Sequence, residues 1–341
     1  MTKALFETAS LGELSLKNRL VRSATWEGIA SPEGALPDEA YTIYEELAKG
    51  GVGAVITGFT SVSATDFYMD DMMRLSRDDL IGQYRRLTDL IHAERVPVIA
   101  QLALGAFYRP LPGGGYRQTE PDDMTAGEIR QVIAQFGQAA RRAKEAGFDG
   151  VQIHAAHFFF LSRFISPRVN HRSDEYGGST EHRGRILLDI LQEIRAQAPG
   201  LHVTVKINCS DFATPGLTEE ESMILCRMLD EAGIDSLEIS GNGTSVGGIR
   251  PHVNEGYFAP FAAKVAEAVS VPVIAVGGWR STEEMEKALR DTSIAFLSLS
   301  RPLLRQPDLP RLMEAGEVTE SACISCNRCY HSPCHRCVFR R

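Results

Sequence analysis

The sequence predicts a single (β/α)8 barrel, and three observations lead to this fold class. Short β-branched apolar segments alternate with amphipathic helical patterns along the 341-residue chain, as in the repeated βα units of a parallel sheet. Eight such segments are present, the number of strands that closes an α/β barrel. The first βα turn lacks the G-x-G-x-x-G sequence of a dinucleotide-binding open sheet, so a closed barrel is preferred to a doubly wound fold.

The predicted strands are short runs rich in Val, Ile and Leu. They cover residues 20–24, 52–57, 98–102, 150–153, 203–207, 236–240, 273–276 and 295–299. Capping boxes mark the starts of several helices, because a Ser or Thr side chain and a Glu three residues later satisfy free amides of the first turn. Three boxes occur, at Thr125/Glu128, Thr218/Glu221 and Ser281/Glu284.

Two long segments interrupt the βα repeat, and each follows a predicted strand. Residues 105–121 are rich in Gly and Pro and predict a surface hairpin or lid, whereas residues 158–178 predict a long loop after the fourth strand. Loops at the C-terminal ends of barrel strands usually carry the chemistry, so we expect the active site there.

Composition and charge exclude several partners. The formal net charge is −8, and nucleic-acid binding depends on clustered cations, so no nucleic-acid partner is expected. No segment approaches the ~18 apolar residues of a membrane span, and the N-terminus is unlike a signal peptide. We expect a cytoplasmic homo-oligomer without a membrane partner, whose barrel covers residues 1–315 and whose Cys-rich tail covers residues 316–341.

Two histidines follow the fourth predicted strand in the sequence His154-Ala155-Ala156-His157. Imidazoles at this spacing on a turn can converge on one acceptor, either a metal ion or a substrate oxygen. No Glu lies between them as in a zinc-protease helix, so the substrate oxygen is the better interpretation. The alternative is one packed and one solvated histidine.

The loops after strands seven and eight contain a candidate phosphate site. Gly277 and Gly278 expose backbone amides, and Ser300-Arg301 adds a hydroxyl and a guanidinium that can bind phosphate. These two loops form the usual phosphate site of α/β barrels. A tight turn next to a surface arginine is the alternative.

Two strands carry single polar residues in apolar surroundings. Gln101 lies in the third predicted strand, and Lys206 interrupts the fifth. Burial of a lysine is costly unless its ammonium group meets a negative charge or an acceptor. Both residues are therefore ligand candidates, although Lys206 on the outer face of the barrel is the alternative.

Together these motifs resemble the Old Yellow Enzyme family over about residues 3–315. The matching segments, in order, are Lys17-Asn18-Arg19-Leu20-Val21, Gln101-Leu102-Ala103, His154-x-x-His157, Asp174-Glu175-Tyr176-Gly177-Gly178-Ser179-x-Glu181-x-Arg183, Val276-Gly277-Gly278 and Ser300-Arg301-Pro302.

The resemblance implies an FMN-dependent oxidoreductase that acts on a small molecule. NADH or NADPH would reduce FMN, and flavin N5 would pass the hydride to an α,β-unsaturated carbonyl or a similar electron-poor acceptor. His154 and His157 would hydrogen-bond the carbonyl oxygen of this substrate. The isoalloxazine would contact Ser23, Ala24, Thr25, Phe59, Gln101 and Lys206, and the phosphate would contact Gly277, Gly278, Ser300 and Arg301.

The chain departs from the family pattern at the expected proton donor. The family commonly has a Tyr two residues after the second His, but Phe159 stands here and has no proton to donate. Solvent or one of four tyrosines could replace it, namely Tyr68, Tyr108, Tyr116 or Tyr257. Dehydrogenation and electron transfer to another acceptor are reactions that tolerate this loss. Trp26 also replaces a small residue or Cys found in many relatives.

The C-terminal tail concentrates five of the seven cysteines, namely Cys323, Cys326, Cys329, Cys334 and Cys337. Such closely spaced thiols favour metal binding over disulfides in a reducing compartment. Larger members similar to dienoyl-CoA reductase and trimethylamine dehydrogenase carry a [4Fe–4S] cluster here, with a longer spacing after the first pair. Three alternatives are open: an iron–sulfur cluster that receives electrons from an electron-transfer protein, a structural Zn ion, and no metal at all.

Two further interpretations compete with this one. Other FMN barrels, such as dihydroorotate dehydrogenase or tRNA dihydrouridine synthase, do not explain His154-x-x-His157 followed by Tyr176-Gly177-Gly178. A non-catalytic module that assembles through metal binding by its tail would leave the phosphate loops without a use.

Overall fold

A closed parallel barrel forms the centre of the protein. The computed structural model describes residues 4–243 and 245–340. Each barrel strand pairs with its neighbours in chain order, and β8 pairs with β1 to close the barrel. The strands are β1 (Leu20–Arg22), β2 (Ala54–Ile56), β3 (Val98–Ala103), β4 (Gly150–Ala155), β5 (His202–Asn208), β6 (Ser236–Ser240), β7 (Val273–Ala275) and β8 (Phe296–Leu299). The predicted barrel and all eight predicted strands are therefore confirmed.

Seven longer helices connect successive strands and pack their apolar faces against the barrel. They are α1 (Asp38–Lys49), α2 (Ile81–Ala93), α3 (Ala126–Glu145), α4 (Thr180–Gln197), α5 (Glu219–Glu231), α6 (Ala259–Ala268) and α7 (Thr282–Asp291). In α3 an apolar stripe of Ile129, Val132 and Phe136 is fully buried. Two short helices, Arg301–Arg305 and Leu309–Glu314, follow β8. A further short helix, Phe160–Ile165, forms within residues 158–178, which the sequence predicts as a long loop.

Two of the three predicted capping boxes form completely. Thr125 and Thr218 each exchange hydrogen bonds with the Glu three residues later. Ser281 caps α7 by accepting from the Glu284 amide, but its own amide donates to Glu255 Oε2 at 2.9 Å. Glu255, from the loop between β6 and α6, thus accepts the hydrogen bond that the capping box assigns to Glu284.

The other short strands lie outside the eight strands of the barrel. A hairpin of Ala9–Leu11 and Leu14–Leu16 buries Leu11 and Leu16 against the apolar side chains of the N-terminal end. Strands Phe107–Pro110 and Tyr116–Thr119 form the predicted hairpin after β3. A parallel pair, Thr60–Ser61 and Met73–Arg74, extends the sheet near this hairpin.

The tail, for which the structure describes residues 316–340, folds back onto the barrel. Short helical turns form at Arg328–His331 and Pro333–His335. Arg336 forms an ion pair with Glu39, and Arg340 forms one with Glu46, so both arginines fasten the tail to α1. The boundary at residue 316 remains a prediction. Across the described ranges no helix is long and apolar enough to cross a membrane.

Candidate active site

A cavity of about 270 Å³ opens at the C-terminal end of the barrel. Its walls come from the ends of all eight strands, from the loop after β6 and from the tail. Ten of the twelve predicted catalytic and flavin-contacting residues line it: Ser23, Ala24, Thr25, Phe59, Gln101, His154, His157, Lys206, Ser300 and Arg301. The fold therefore brings these distant positions together.

A buried ion pair forms the floor of this cavity. Lys206 Nζ lies 3.2 Å from Glu238 Oε1, and both side chains are almost completely inaccessible to solvent. Lys206 also donates to Ser23 Oγ at 2.8 Å. Lys206 thus meets the negative charge that its burial requires, and its inward orientation is the one the sequence favoured.

Hydrogen bonds extend this ion pair across the barrel. Glu238 accepts from Ser23 and Ser298 at 2.7 and 2.6 Å and from Gln152 at 2.9 Å, and Gln101 donates to Gln152 at 2.9 Å. Burial alone would raise the pKa of Glu238, but Lys206 and these hydrogen bonds hold it below its usual range. The carboxylate is therefore ionised.

Sequence reasoning missed Glu238, although the signal was available. Glu238 interrupts an apolar strand just as Lys206 does, so the cost of burying an isolated charge predicts a partner for each. The facing register confirms the pairing, because Lys206 lies opposite Glu238 in the β5–β6 ladder.

The two histidines lie together above this floor as neutral imidazoles. Their ring centroids are 5.1 Å apart. Burial and the nearby Lys206 ammonium lower the pKa of His154 to about 3. Burial, together with His154 and Lys206, also holds the pKa of His157 well below its usual value. His157 Nε2 lies 2.8 Å from Ser240 Oγ, whereas the buried His154 Nδ1 has no partner within the described residues.

The turn that carries His157 is strained. His157 and Phe158 both have φ of 64°, in the left-handed region that side chains with a Cβ rarely adopt. The His157 amide donates to Asn208 Oδ1, and the Phe158 amide donates to Ser162 Oγ. Strain of this kind persists where surrounding contacts enforce it and is concentrated at functional sites.

Phe159 lies in an aromatic group beside the histidines. Its ring centroid is 4.9 Å from that of Phe59 and 5.2 Å from that of His154. Of the four tyrosines considered as replacement proton donors, Tyr257 lines the cavity, and Tyr68 packs against the outer side of Phe159. Tyr330 of the tail also lines the cavity and was not anticipated.

The predicted phosphate residues are only partly exposed to the cavity. Ser300 and Arg301 line it, but Gly277 and Gly278 are not among its lining residues within the described part of the chain. The two glycines have φ of 131° and 81° and lie against Phe258 and Tyr257, which occupy the space beside their Cα atoms. Arg301 Nη1 donates to Val246 O at 2.8 Å and to Asn327 Oδ1 at 2.6 Å.

Tail residues complete the wall of the cavity. His335 packs edge-on against Trp26, with ring centroids 4.1 Å apart, and its Nδ1 lies 2.9 Å from Trp26 O. Asn327 bridges Arg301 and Ser245 O. No sequence pattern predicts these contacts. The contacting residues are more than 25 positions apart, and the tail residues do not follow the periodicity of a helix or strand.

The tail cysteines divide into two groups. Cys323, Cys326, Cys329 and Cys337 line one small cavity beside Arg301, whereas Cys334 Sγ lies 3.6 Å from Glu39 Oε2. All seven cysteines are free thiols. In residues 4–243 and 245–340, no three His, Cys, Asp or Glu side chains are arranged to hold a metal ion. The predicted iron–sulfur or zinc site is therefore not assembled in this arrangement.

A parallel barrel with a cavity of this kind at the C-terminal ends of its strands is typical of flavin-dependent oxidoreductases. The chain belongs to the NADH:flavin oxidoreductase / NADH oxidase family, whose model matches residues 4–320. It is therefore an enzyme of a class that uses FMN with NADH or NADPH, as the Old Yellow Enzyme resemblance implied.

Individual relatives differ in length and reaction. The chain is 30% identical to the 4,4'-dithiodibutanoate disulfide reductase of Rhodococcus erythropolis, over 99% of this chain and 96% of that protein. It is 33% identical to an NADH-dependent flavin oxidoreductase of Hypocrea jecorina, over 90% and 88% of the two chains. The structure of a 2-naphthoyl-CoA reductase superposes with a TM-score of 0.86 at 24% identity and covers 96% of this chain. This chain spans 54% of that protein and 51% of a metal reductase from Desulforamulus reducens, about half of each.

The residues present fit an FMN at the barrel mouth. The unpartnered His154 Nδ1 and the equally unpartnered Trp26 Nε1 are buried polar atoms on the cavity wall, and such atoms call for a ligand. The cationic Lys206 and the amide of Gln101 supply polar groups at its floor. The phosphate loops fit less completely, since Tyr257 and Phe258 stand against Gly278 and Gly277.

The neutral state of His154 predicts how stability depends on pH. An unfolded histidine binds a proton below a pKa of about 6.5, but folded His154 does so only near pH 3, so the unfolded state binds more protons in between and stability falls as pH falls. We expect His154→Gln to reduce the loss of unfolding free energy between pH 7 and pH 5, measured by urea denaturation. His182→Gln, which changes an exposed histidine, is the matched control and should leave the wild-type loss unchanged. Equal pH dependence in His154→Gln and wild type would contradict a buried neutral His154.

Proposed function

We propose that the protein transfers hydride from NADH or NADPH, through FMN, to an α,β-unsaturated carbonyl or a similar electron-poor acceptor. The observation that carries this proposal is the neutral histidine pair beside a buried lysine, in a cavity built by all eight strand ends. Bound FMN would supply the hydride chemistry, accepting hydride from the nicotinamide and delivering it to the acceptor.

Each group of residues has a separate part in this proposal. His154 and His157 donate neutral N–H hydrogen bonds to the acceptor oxygen and stabilise the negative charge that develops there. Lys206 provides a fixed positive charge at the floor, held in place by Glu238. Ser23, Ala24, Thr25, Phe59 and Gln101 shape the isoalloxazine site around them. The aromatic wall of Phe59 and Phe159 excludes water from the reacting atoms.

The proposed function is tested by an anaerobic titration of the purified protein. We expect flavin absorbance that NADH or NADPH bleaches and that an electron-poor acceptor restores. The acceptors are 2-cyclohexenone and, because a relative of equal extent reduces it, 4,4'-dithiodibutanoate. His154→Ala should keep the bleaching but slow reoxidation by the enone by about 10²-fold, as when one oxyanion donor is removed. A protein that binds no added FMN would exclude the proposal.

The proposed phosphate site makes a second prediction. We expect Arg301→Ala to weaken FMN binding by about tenfold or more, because a charged hydrogen-bond donor to phosphate is lost. Asn327→Ala should weaken it less, since Asn327 holds Arg301 without reaching the phosphate itself. FMN dissociation constants from fluorescence titration measure both effects. Arg336→Ala is the control, because it removes the ion pair with Glu39 of α1 and leaves the contacts of Arg301 in place. Full FMN affinity in Arg301→Ala would show that Arg301 does not bind the phosphate.

A second candidate assigns the tail an iron–sulfur cluster and, with it, an electron-transfer protein as the electron donor. One observation favours it: four thiols surround a single small cavity next to Arg301, a donor set of the kind that binds a [4Fe–4S] cluster. The thiols would have to move closer together. Zinc is the other metal that this donor set accepts.

The division of the cysteines makes this candidate testable. If a cluster forms, Cys326→Ala should lose protein-bound iron and its broad visible absorbance, whereas Cys334→Ala should retain both, because Cys334 lies apart beside Glu39. Iron, zinc and acid-labile sulfide are quantified on protein reconstituted anaerobically. Zinc without sulfide would assign a structural ion, and neither metal would remove the candidate.

A further inference from the structure

A second cavity, open to solvent, lies beside the active-site cavity and is called the side groove here. It encloses about 1010 Å³ and shares Ser245, Tyr257, Phe258 and Tyr330 with the active-site cavity. Phe212, which follows β5, forms its outer rim. The two cavities are thus adjacent, and these four residues line both of them.

Phe212 exposes most of its aromatic side chain to solvent. Its side chain is 63% exposed, and its φ of 52° is a strained conformation for an aromatic residue. Its ring lies parallel to that of Phe258, at an interplanar angle of 11° and a centroid distance of 6.3 Å. Gly241 makes this arrangement possible, because an added Cβ would lie 2.4 Å from the Phe258 ring and 2.9 Å from the Phe212 ring. An exposed aromatic ring on a strained backbone marks a candidate binding surface.

A polar side chain lines the side groove beside this aromatic surface, and two arginines follow lining residues of the groove along the chain. Asn242 lines the side groove, and its side-chain amide forms no hydrogen bond with other described residues, so both its donor and its acceptor are free. Arg250 and Arg328 flank the lining residues Ile249 and Asn327 along the chain. Neither arginine forms an ion pair among residues 4–243 and 245–340, although the chain carries a net charge of −8. Two free cations on an acidic protein suit an anionic ligand.

We propose that the side groove binds the adenosine half of the nicotinamide dinucleotide that reduces the enzyme. The adenine ring stacks on Phe212, Asn242 hydrogen-bonds the edge of the base, and Arg250 and Arg328 attract the pyrophosphate. The inference rests on the proposed function, because it requires the nicotinamide ring in the adjoining active-site cavity. An aromatic platform, a free amide and nearby cations together match a nucleotide better than a simple apolar group.

The test compares NADH with reduced nicotinamide mononucleotide, which carries the same reactive ring but lacks the adenosine half. Binding is measured by the concentration dependence of flavin bleaching in an anaerobic stopped-flow instrument. Phe212→Ala should raise the dissociation constant for NADH about tenfold, as expected for the loss of one base stacked on an aromatic ring. The constant for the mononucleotide should not change. Phe212→Trp should restore NADH affinity, because it keeps an aromatic face.

Phe67→Ala is the matched control. Phe67 is also an exposed phenylalanine, at 46%, but it packs against Tyr108 and Tyr116 of the hairpin, so both reductants should bind this variant as they bind the wild type. Equal losses for both reductants in Phe212→Ala, or no loss for either, would overturn the inference while leaving the proposed function intact. A wild-type flavoprotein that is bleached by none of NADH, NADPH and the mononucleotide would overturn both.

Discussion

The buried pair of Lys206 and Glu238 is the interaction on which the rest of the site depends. Moving two charges into a barrel costs desolvation free energy that apolar side chains would avoid, so such a pair contributes little to net stability. Its value lies in what it arranges. Through Glu238 it connects Ser23, Gln152 and Ser298, and through Gln152 it reaches Gln101. Side chains from five of the eight strands, and from Ser23 directly after β1, therefore share one hydrogen-bond network at the cavity floor.

Burial is the main reason why the two histidines above this network are neutral, and the charges of the network add to it. Glu238 is ionised and keeps the ammonium of Lys206 in place, and that positive charge disfavours a second one on His154 or His157. A neutral imidazole keeps one N–H group, which can donate a hydrogen bond to a developing oxyanion. Burial thus keeps the two imidazoles neutral, and the ammonium group that Glu238 holds in place adds to this effect.

The sequence predicted the barrel well because its strands are buried on both sides. Such strands are continuous apolar runs, and any polar residue within them stands out, which is how Lys206 and Gln101 were recognised. Glu238 carried the same signal and was overlooked. The contacts of Asn327, Tyr330 and His335 had no comparable signal, because an irregular tail can lie in many directions and only tertiary packing selects one. The glycines at 277 and 278 were predicted to face a phosphate, yet two aromatic rings stand against them.

The tail explains why motif spacing alone could not define the mouth of this barrel. Arg280 of the loop after β7 donates to Cys323 O and Ser325 Oγ, and Arg301 after β8 donates to Asn327. Both buried arginines therefore donate hydrogen bonds to the tail, which lies outside the βα repeat. A guanidinium already held by protein acceptors is oriented before any phosphate arrives, which lowers the entropy lost on binding. Cys326 lies between Ser325 and Asn327 in the chain, so the tail cysteines belong to the same packed region as the two buried arginines.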